Sequence, residues 1–148
     1  MSKRISQSDV YQLQPAIVKS LLGLGDAAAN ELEASLIHLV KLRASQLNGC
    51  AFCQHMHANE ARKDGEQQHR LDVLAAWKEV DIFSARERAA LIWTETLTLI
   101  AHKEVSDEVY TATRQYFTES ELVNLTAAIV AINAWNRIAV GFHFAPAF

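Results

Sequence analysis

Proline is nearly absent from this sequence: only Pro15 and Pro146 occur in 148 residues, both close to the ends. An interior without proline removes the commonest helix breaker, so long helices are permitted. Also missing is any sustained alternation of apolar and polar residues, which excludes a half-buried sheet. No internal repeat, low-complexity tract or Pro/Gly/Ser-rich linker divides the chain. No Lys/Arg block or basic face appears, and the net charge is -3, which argues against a nucleic-acid partner. The N-terminus carries Lys3 and Arg4 with no apolar core behind them, so no secretory signal is expected. Polar residues interrupt the apolar stretches before the ~20 needed to span a bilayer, and no membrane partner is expected. The reading is a cytoplasmic protein. Cysteine is scarce too, with two residues. In a reducing compartment such a pair is catalytic or sensing rather than a structural staple.

What is present points to helices. Half the residues are apolar and 21% are charged, ordinary for one globular domain over residues 1–148. A first helix is expected over about Asp9–Leu22, ending at Gly23 and Gly25, with a break near Gln14 where Pro15 interrupts. A second runs from about Ala29 to Leu47, with Leu32, Leu36 and Leu39 at helical spacing, and Asn48-Gly49 ends it. A third begins near Cys50 and stops at Gly65, and a short fourth covers about Gln68–Trp77. Ser84 and Glu87 form a capping box for a fifth helix reaching about His102. Ser106 caps a sixth, with Asp107 and Glu108 favourable in its first turn. Thr118 and Glu121 form a second box, opening a final helix through about Phe142. The sum is an all-α domain of about seven helices, paired antiparallel because the connections are short.

The chemistry concentrates in one stretch, Arg43 to His57. Cys50 and Cys53 lie three residues apart, a spacing that lets their sulfurs close a disulfide. If Cys50 opens a helix, both sit in its first turn, where free N–H groups and the macrodipole favour an anion. That environment lowers a thiol's pKa, and the thiolate is the reactive form. His57 shares a helical face with Cys53 and can take its proton. His55 points elsewhere and is a bystander. On an antiparallel hairpin turning at Asn48-Gly49, His38 and His57 lie about 13 Å and about 10 Å from the turn, nearly level, and so could form a proton relay. The same four side chains, Cys50, Cys53, His57 and His38, could instead hold zinc. Haem attachment fails because Gln54, not His, follows Cys53.

These residues also resemble a known motif. Arg43, Ser45, Asn48, Cys50, Cys53 and His57, in that spacing, are similar to the core of the AhpD-like alkylhydroperoxidases in the carboxymuconolactone decarboxylase family. Trp77, Phe83 and Ser84 to Leu91 resemble its middle portion. Phe117 to Leu122 and Asn133 to Arg137 resemble its end, so the likeness spans about residues 10–143. It implies an all-helical, homotrimeric or hexameric protein with an antioxidant role. The activity implied is a thiol-dependent peroxidase or disulfide oxidoreductase acting on hydroperoxides, without a cofactor. Cys53 would attack the peroxide and Cys50 would resolve the sulfenic acid. The reductant implied is a dithiol, such as a lipoyl-bearing protein. One departure stands out: peroxidase members usually carry Glu twelve residues before the first cysteine, where this chain has His38. A histidine there can pass a proton but cannot stabilise an imidazolium by opposite charge. The substitution also favours the zinc alternative, and a third possibility, an oligomeric scaffold with weakened chemistry.

Bland roles are expected elsewhere. Arg43 and Ser45 fix the hairpin, and Asn48 shapes its turn. Asn133, Asn136 and Arg137 form a buried polar network or a subunit interface. Trp77, Trp93 and Trp135 belong to the core. His102 suits a helix terminus. His143 and the apolar tail to Phe148 are expected on a neighbouring subunit.

Overall fold

The computed structural model describes residues 3–148, and among them every regular element is helical. The helices are α1 (Gln7–Leu13), α2 (Ala16–Ala29), α3 (Ala34–Leu47), α4 (Ala51–Lys63) and α5 (Gln68–Asp72). A 3-10 helix (Leu74–Glu79) follows, then α6 (Ala85–Thr98), α7 (Asp107–Arg114) and α8 (Glu119–Phe142).

The expected first helix is two. Ser6 caps α1, its hydroxyl accepting from the Asp9 N–H at 3.1 Å. Pro15 then forces Gln14 out of helical geometry, to φ -140° and ψ 85°. The expected stop at Gly23 and Gly25 does not occur, and α2 runs through both to Ala29. Gly25 faces α8, where a Cβ would stand 3.7 Å from the Ala131 Cβ, an ordinary packing distance. Because α2 extends this far, α3 begins at Ala34 rather than Ala29. The expected fourth helix also divides, into α5 and the 3-10 helix, which kinks at Ala76.

Both capping boxes form, at Ser84/Glu87 and Thr118/Glu121, and Ser106 caps α7. α6 ends at Thr98, short of His102. Its last turns hold Thr94 and Thr96, whose hydroxyls bond back to the Ala90 and Ile92 carbonyls. Such bonds compete with the helix, and tighter turns between Leu97 and Lys103 replace it. His102 is therefore exposed in a turn beyond the helix.

Helix α8 is the spine, packed most extensively on α2 and α3. Leu125, Ile129, Leu36, Val40 and Trp93 bury one core there. Leu39, Leu42, Leu74, Trp77 and Leu91 bury a second on the other side of α3. Each fully buried leucine contributes roughly 1.5–3 kcal/mol. By length and composition alone α8 is apolar enough to cross a membrane, despite the polar residues that were expected to interrupt it. Within the fold 39% of that stretch is buried, its Leu125 and Ile129 in the core, while Val123 and Val130 are exposed. Arg86 staples three parts of the chain, pairing with Glu33 and Glu121 and lying 4.3 Å over the Phe117 ring.

Candidate active site

The turn between α3 and α4 builds the cysteine site. Asn48 ends α3, and Gly49 takes φ +64°, a left-handed conformation that glycine adopts without strain. The Cys50 N–H then returns to the Ser45 carbonyl at 3.0 Å. This places Cys50 at the N-cap of α4, where its Sγ accepts the Cys53 N–H at 3.2 Å. The two cysteines have Cα atoms 5.3 Å apart and are joined as a disulfide.

Side chains from α8 lock the turn. The Asn48 amide donates to the Asn133 and Asn136 carbonyl oxygens, each at 2.9 Å. Asn136 donates in turn to the Ser45 hydroxyl at 3.0 Å, and Ser45 to the Lys41 carbonyl at 2.7 Å. Asn133 reaches Thr98 on α6 at 3.0 Å. The expected polar network is thus internal to the chain. Arg43 is paired as well, its guanidinium meeting Glu95 at 3.0 Å. Burial pushes the Glu95 carboxyl up, but the Trp77 indole N–H and the Arg43 charge hold it below its ordinary value.

Both cysteines are almost sealed, Cys50 at 1% and Cys53 at 2% exposure. Cys53 nevertheless lines a partly open cavity of about 320 Å³, while Cys50 is not among its lining residues. His57, Glu60 and Lys41 line the same cavity, together with the rings of Tyr11, Trp135 and Phe144. His57 is buried, and its Nδ1 lies 3.0 Å from Glu60 Oε2. The Glu60 carboxyl sits below its ordinary value, held there by the His57 hydrogen bond first, with burial opposing. The charges of His57, Lys41 and His38 add to the lowering.

His38 is placed differently from the sequence expectation. Its Nε2 bonds Asp64 Oδ2 at 2.5 Å, and it lines a separate polar cavity with Asp64, His69 and Arg70. Among the described residues no hydrogen bond joins His38 to His57; each imidazole has its own carboxylate. The four-ligand zinc arrangement is likewise not assembled. The cysteine sulfurs are bonded to each other, and among the described residues no group of three or more His, Cys, Asp or Glu side chains is placed to hold a metal.

Three further residues depart from expectation. Trp135 is half-buried and lines the cavity rather than the core. Phe144 folds back on its own chain, against Phe52 and Tyr11, rather than outward to a neighbour. Glu60 was not anticipated, although its position three residues after His57 on one helix was a usable signal. His55 meets Asn59 and the Phe148 ring, away from the cavity.

The family model described as the carboxymuconolactone decarboxylase family matches residues 15–96, more than half of the chain. The chain belongs to that family. A relative from Bacillus subtilis, the uncharacterized protein YdfG, is 40% identical over 141 residues, covering 95% of this chain and 94% of its own. Among solved structures, one from Agrobacterium tumefaciens has a TM-score of 0.91, 38% identity and 99% coverage of both chains. It is described as of unknown function and suggested to be the antioxidant defence protein AhpD. An uncharacterized peroxidase-related protein from Ralstonia eutropha, with an alkylhydroperoxidase AhpD core, has a TM-score of 0.80. At 20% identity, covering 94% of this chain and 75% of its own, it shares the family's fold.

Proposed function

We propose that this protein is a thiol-dependent peroxidase with an antioxidant role, cycling between the Cys50–Cys53 disulfide and its dithiol. The observation that carries the reading is the shared cavity. It brings the N3 cysteine of α4, a buried imidazole and that imidazole's carboxylate partner to one surface.

Reduced Cys53 lies in the first turn of α4, where the helix N-terminus favours its thiolate. The thiolate attacks one oxygen of the hydroperoxide. The O–O bond breaks, the alkoxide leaves as an alcohol with a proton from His57, and Cys53 becomes a sulfenic acid. Glu60 occupies His57 Nδ1, so Nε2 is the nitrogen that gives and regains this proton. The Cys50 thiolate then attacks the Cys53 sulfur and expels water, closing the disulfide. An external dithiol returns two electrons and two protons. His38, paired with Asp64, acts through its charge near Glu60.

The same cycle without peroxide is disulfide exchange. A slender dithiol such as a lipoyl arm suits a sulfur that is reached only through a cavity. The working form is a cytoplasmic homo-oligomer, a trimer or hexamer. The test is consumption of cumene hydroperoxide with excess dithiol, comparing the native protein with Cys53→Ser. Turnover that disappears in the variant supports the proposal. Native protein no faster than the variant refutes it.

A further inference from the structure

The two ends of the chain form one wall of the cavity over Cys53. Helix α8 stops at His143, whose left-handed backbone (φ 57°, ψ 50°) turns the chain back. The Phe144 N–H then bonds the Ala139 carbonyl at 2.9 Å, a cap that aims the following ring inward. Phe144 meets Tyr11 of α1 edge to face, at 5.9 Å between centroids. It meets Phe52 of the cysteine helix in the same way, also at 5.9 Å. Tyr11 in turn stands edge to face on Trp135, at 6.1 Å. Arg4 ties the ends together, donating to the Gly141 carbonyl at 2.7 Å.

These rings differ in how firmly they are held. Phe52 and Trp135 sit inside helices α4 and α8. Tyr11 belongs to the seven-residue α1, and Phe144 to a tail that is mostly exposed beyond it. Neither belongs to the two main cores, and Phe144 packs only on the small buried cluster of Cys50, Cys53 and Ala139. Both also lie outside residues 15–96, the span that the family model matches. A rotation of the Phe144 side chain would widen the cavity with the two main cores intact.

We propose that Phe144 and Tyr11 form an aromatic gate over the Cys50–Cys53 disulfide that admits slender dithiols and excludes folded dithiol proteins. The inference rests on the redox reading above and names the class of its reductant. A thiolate entering the cavity attacks the Cys53 sulfur, because Cys53 and not Cys50 lines it. A mixed disulfide forms and Cys50 leaves as a thiolate. The reductant's second thiol attacks its own sulfur in that bond and releases Cys53. The reductant is oxidised to a disulfide, and its two protons go to the cysteines. Cys53 is 2% exposed, and Phe144 and Tyr11 narrow the approach to it for the broad surface of a folded protein.

The experiment compares reduction of the oxidised full chain by dihydrolipoamide and by reduced thioredoxin, quantified by acid quenching and thiol alkylation. Phe144→Ala is expected to raise the thioredoxin rate at least tenfold and the dihydrolipoamide rate less than threefold. Phe144→Leu, which keeps most of the bulk, should stay within about threefold of the native rates. Tyr11→Ala tests the same gate from the other chain end, should Phe144→Ala lose its fold in circular dichroism. Unchanged rates in the folded variants, or equal increases with both reductants, would overturn the gate. The underlying redox reading fails on a separate measurement: reduced protein that leaves cumene hydroperoxide unconsumed in a single turnover, with the gate intact or opened.

Discussion

Glu60→Gln isolates what the carboxylate beside His57 contributes. Glutamine keeps an oxygen that can accept from Nδ1, so the ring stays oriented while the charge is removed. For a carboxylate and an imidazolium whose charge centres lie ~5 Å apart, an effective dielectric of ~20 gives an attraction of about 3 kcal/mol. The Glu60 side chain is 46% exposed, so solvent screens much of this. About 1–1.5 kcal/mol survives, or about tenfold in rate. The expected result is a fall of about tenfold in kcat/KM for cumene hydroperoxide. Glu60→Ala removes the orientation as well and should fall further, toward the lower end of the hundredfold to ten-thousandfold range of general acid–base catalysis. Stopped-flow consumption from pH 5 to 9 measures both. A Gln variant with the native rate would show that Glu60 does not act through His57. A larger loss in His38→Gln than in Glu60→Gln would move the relay to the other imidazole.

The remaining predictions concern the scaffold. Asn136→Ala leaves Asn48 and Ser45 each short of a buried partner and should cost about 2 kcal/mol in urea unfolding. Gly49→Ala forces a left-handed alanine and should destabilise by about 1–2 kcal/mol. Gly23→Ala, in a helix interior with open space around it, should stabilise by about 0.5–1 kcal/mol. The Arg86 hydrogen bond, helped by the Thr118 N–H, holds the Glu121 carboxyl down to about 2. A folded-state value below the unfolded one gives stability that is present above about pH 4.5 and lost as pH falls toward 2. The drop in thermal midpoint between pH 5 and 2.5 should therefore be smaller in Glu121→Gln than in the native chain.

Local signals were legible in the sequence and long-range ones were not. The boxes at Ser84/Glu87 and Thr118/Glu121 involve residues three apart, so their chemistry determines the helix starts without reference to the rest of the chain. The Pro15 break and the Asn48-Gly49 turn are equally local. Gly23 and Gly25 were ambiguous because glycine serves both as a helix stop and as a point of close approach. The packing of α2 on α8, more than a hundred residues away, carries the helix through both. At the site, the cysteine pair and His57 follow from spacing on one helix. The choice between His38 and Glu60 as the partner of His57 depends on how α3 and α4 rotate against each other. The meeting of Tyr11 with Phe144 joins the two ends of the chain, which no periodicity encodes.

A redox cycle imposes opposed demands on this site, and the structure divides them between different parts. The cysteine backbone must hold its geometry while the S–S bond is made and broken. Buried amides serve that purpose because each has several partners: Asn48 and Asn136 join the turn before Cys50 to α8, and Ser45 carries the connection into α3. A fully satisfied buried network resists displacement, since moving one member strands the others in a low-dielectric interior. Access demands the reverse, a surface that yields. It is supplied by aromatic edge contacts at the chain ends, where the Phe144 ring can rotate while its N–H keeps the Ala139 carbonyl. Loss of Asn136 should therefore loosen the disulfide's support without selecting among reductants, whereas loss of Phe144 should change selection while leaving stability nearly intact. Opposite outcomes for the two substitutions would mean that the rigid and yielding parts have been assigned the wrong way round.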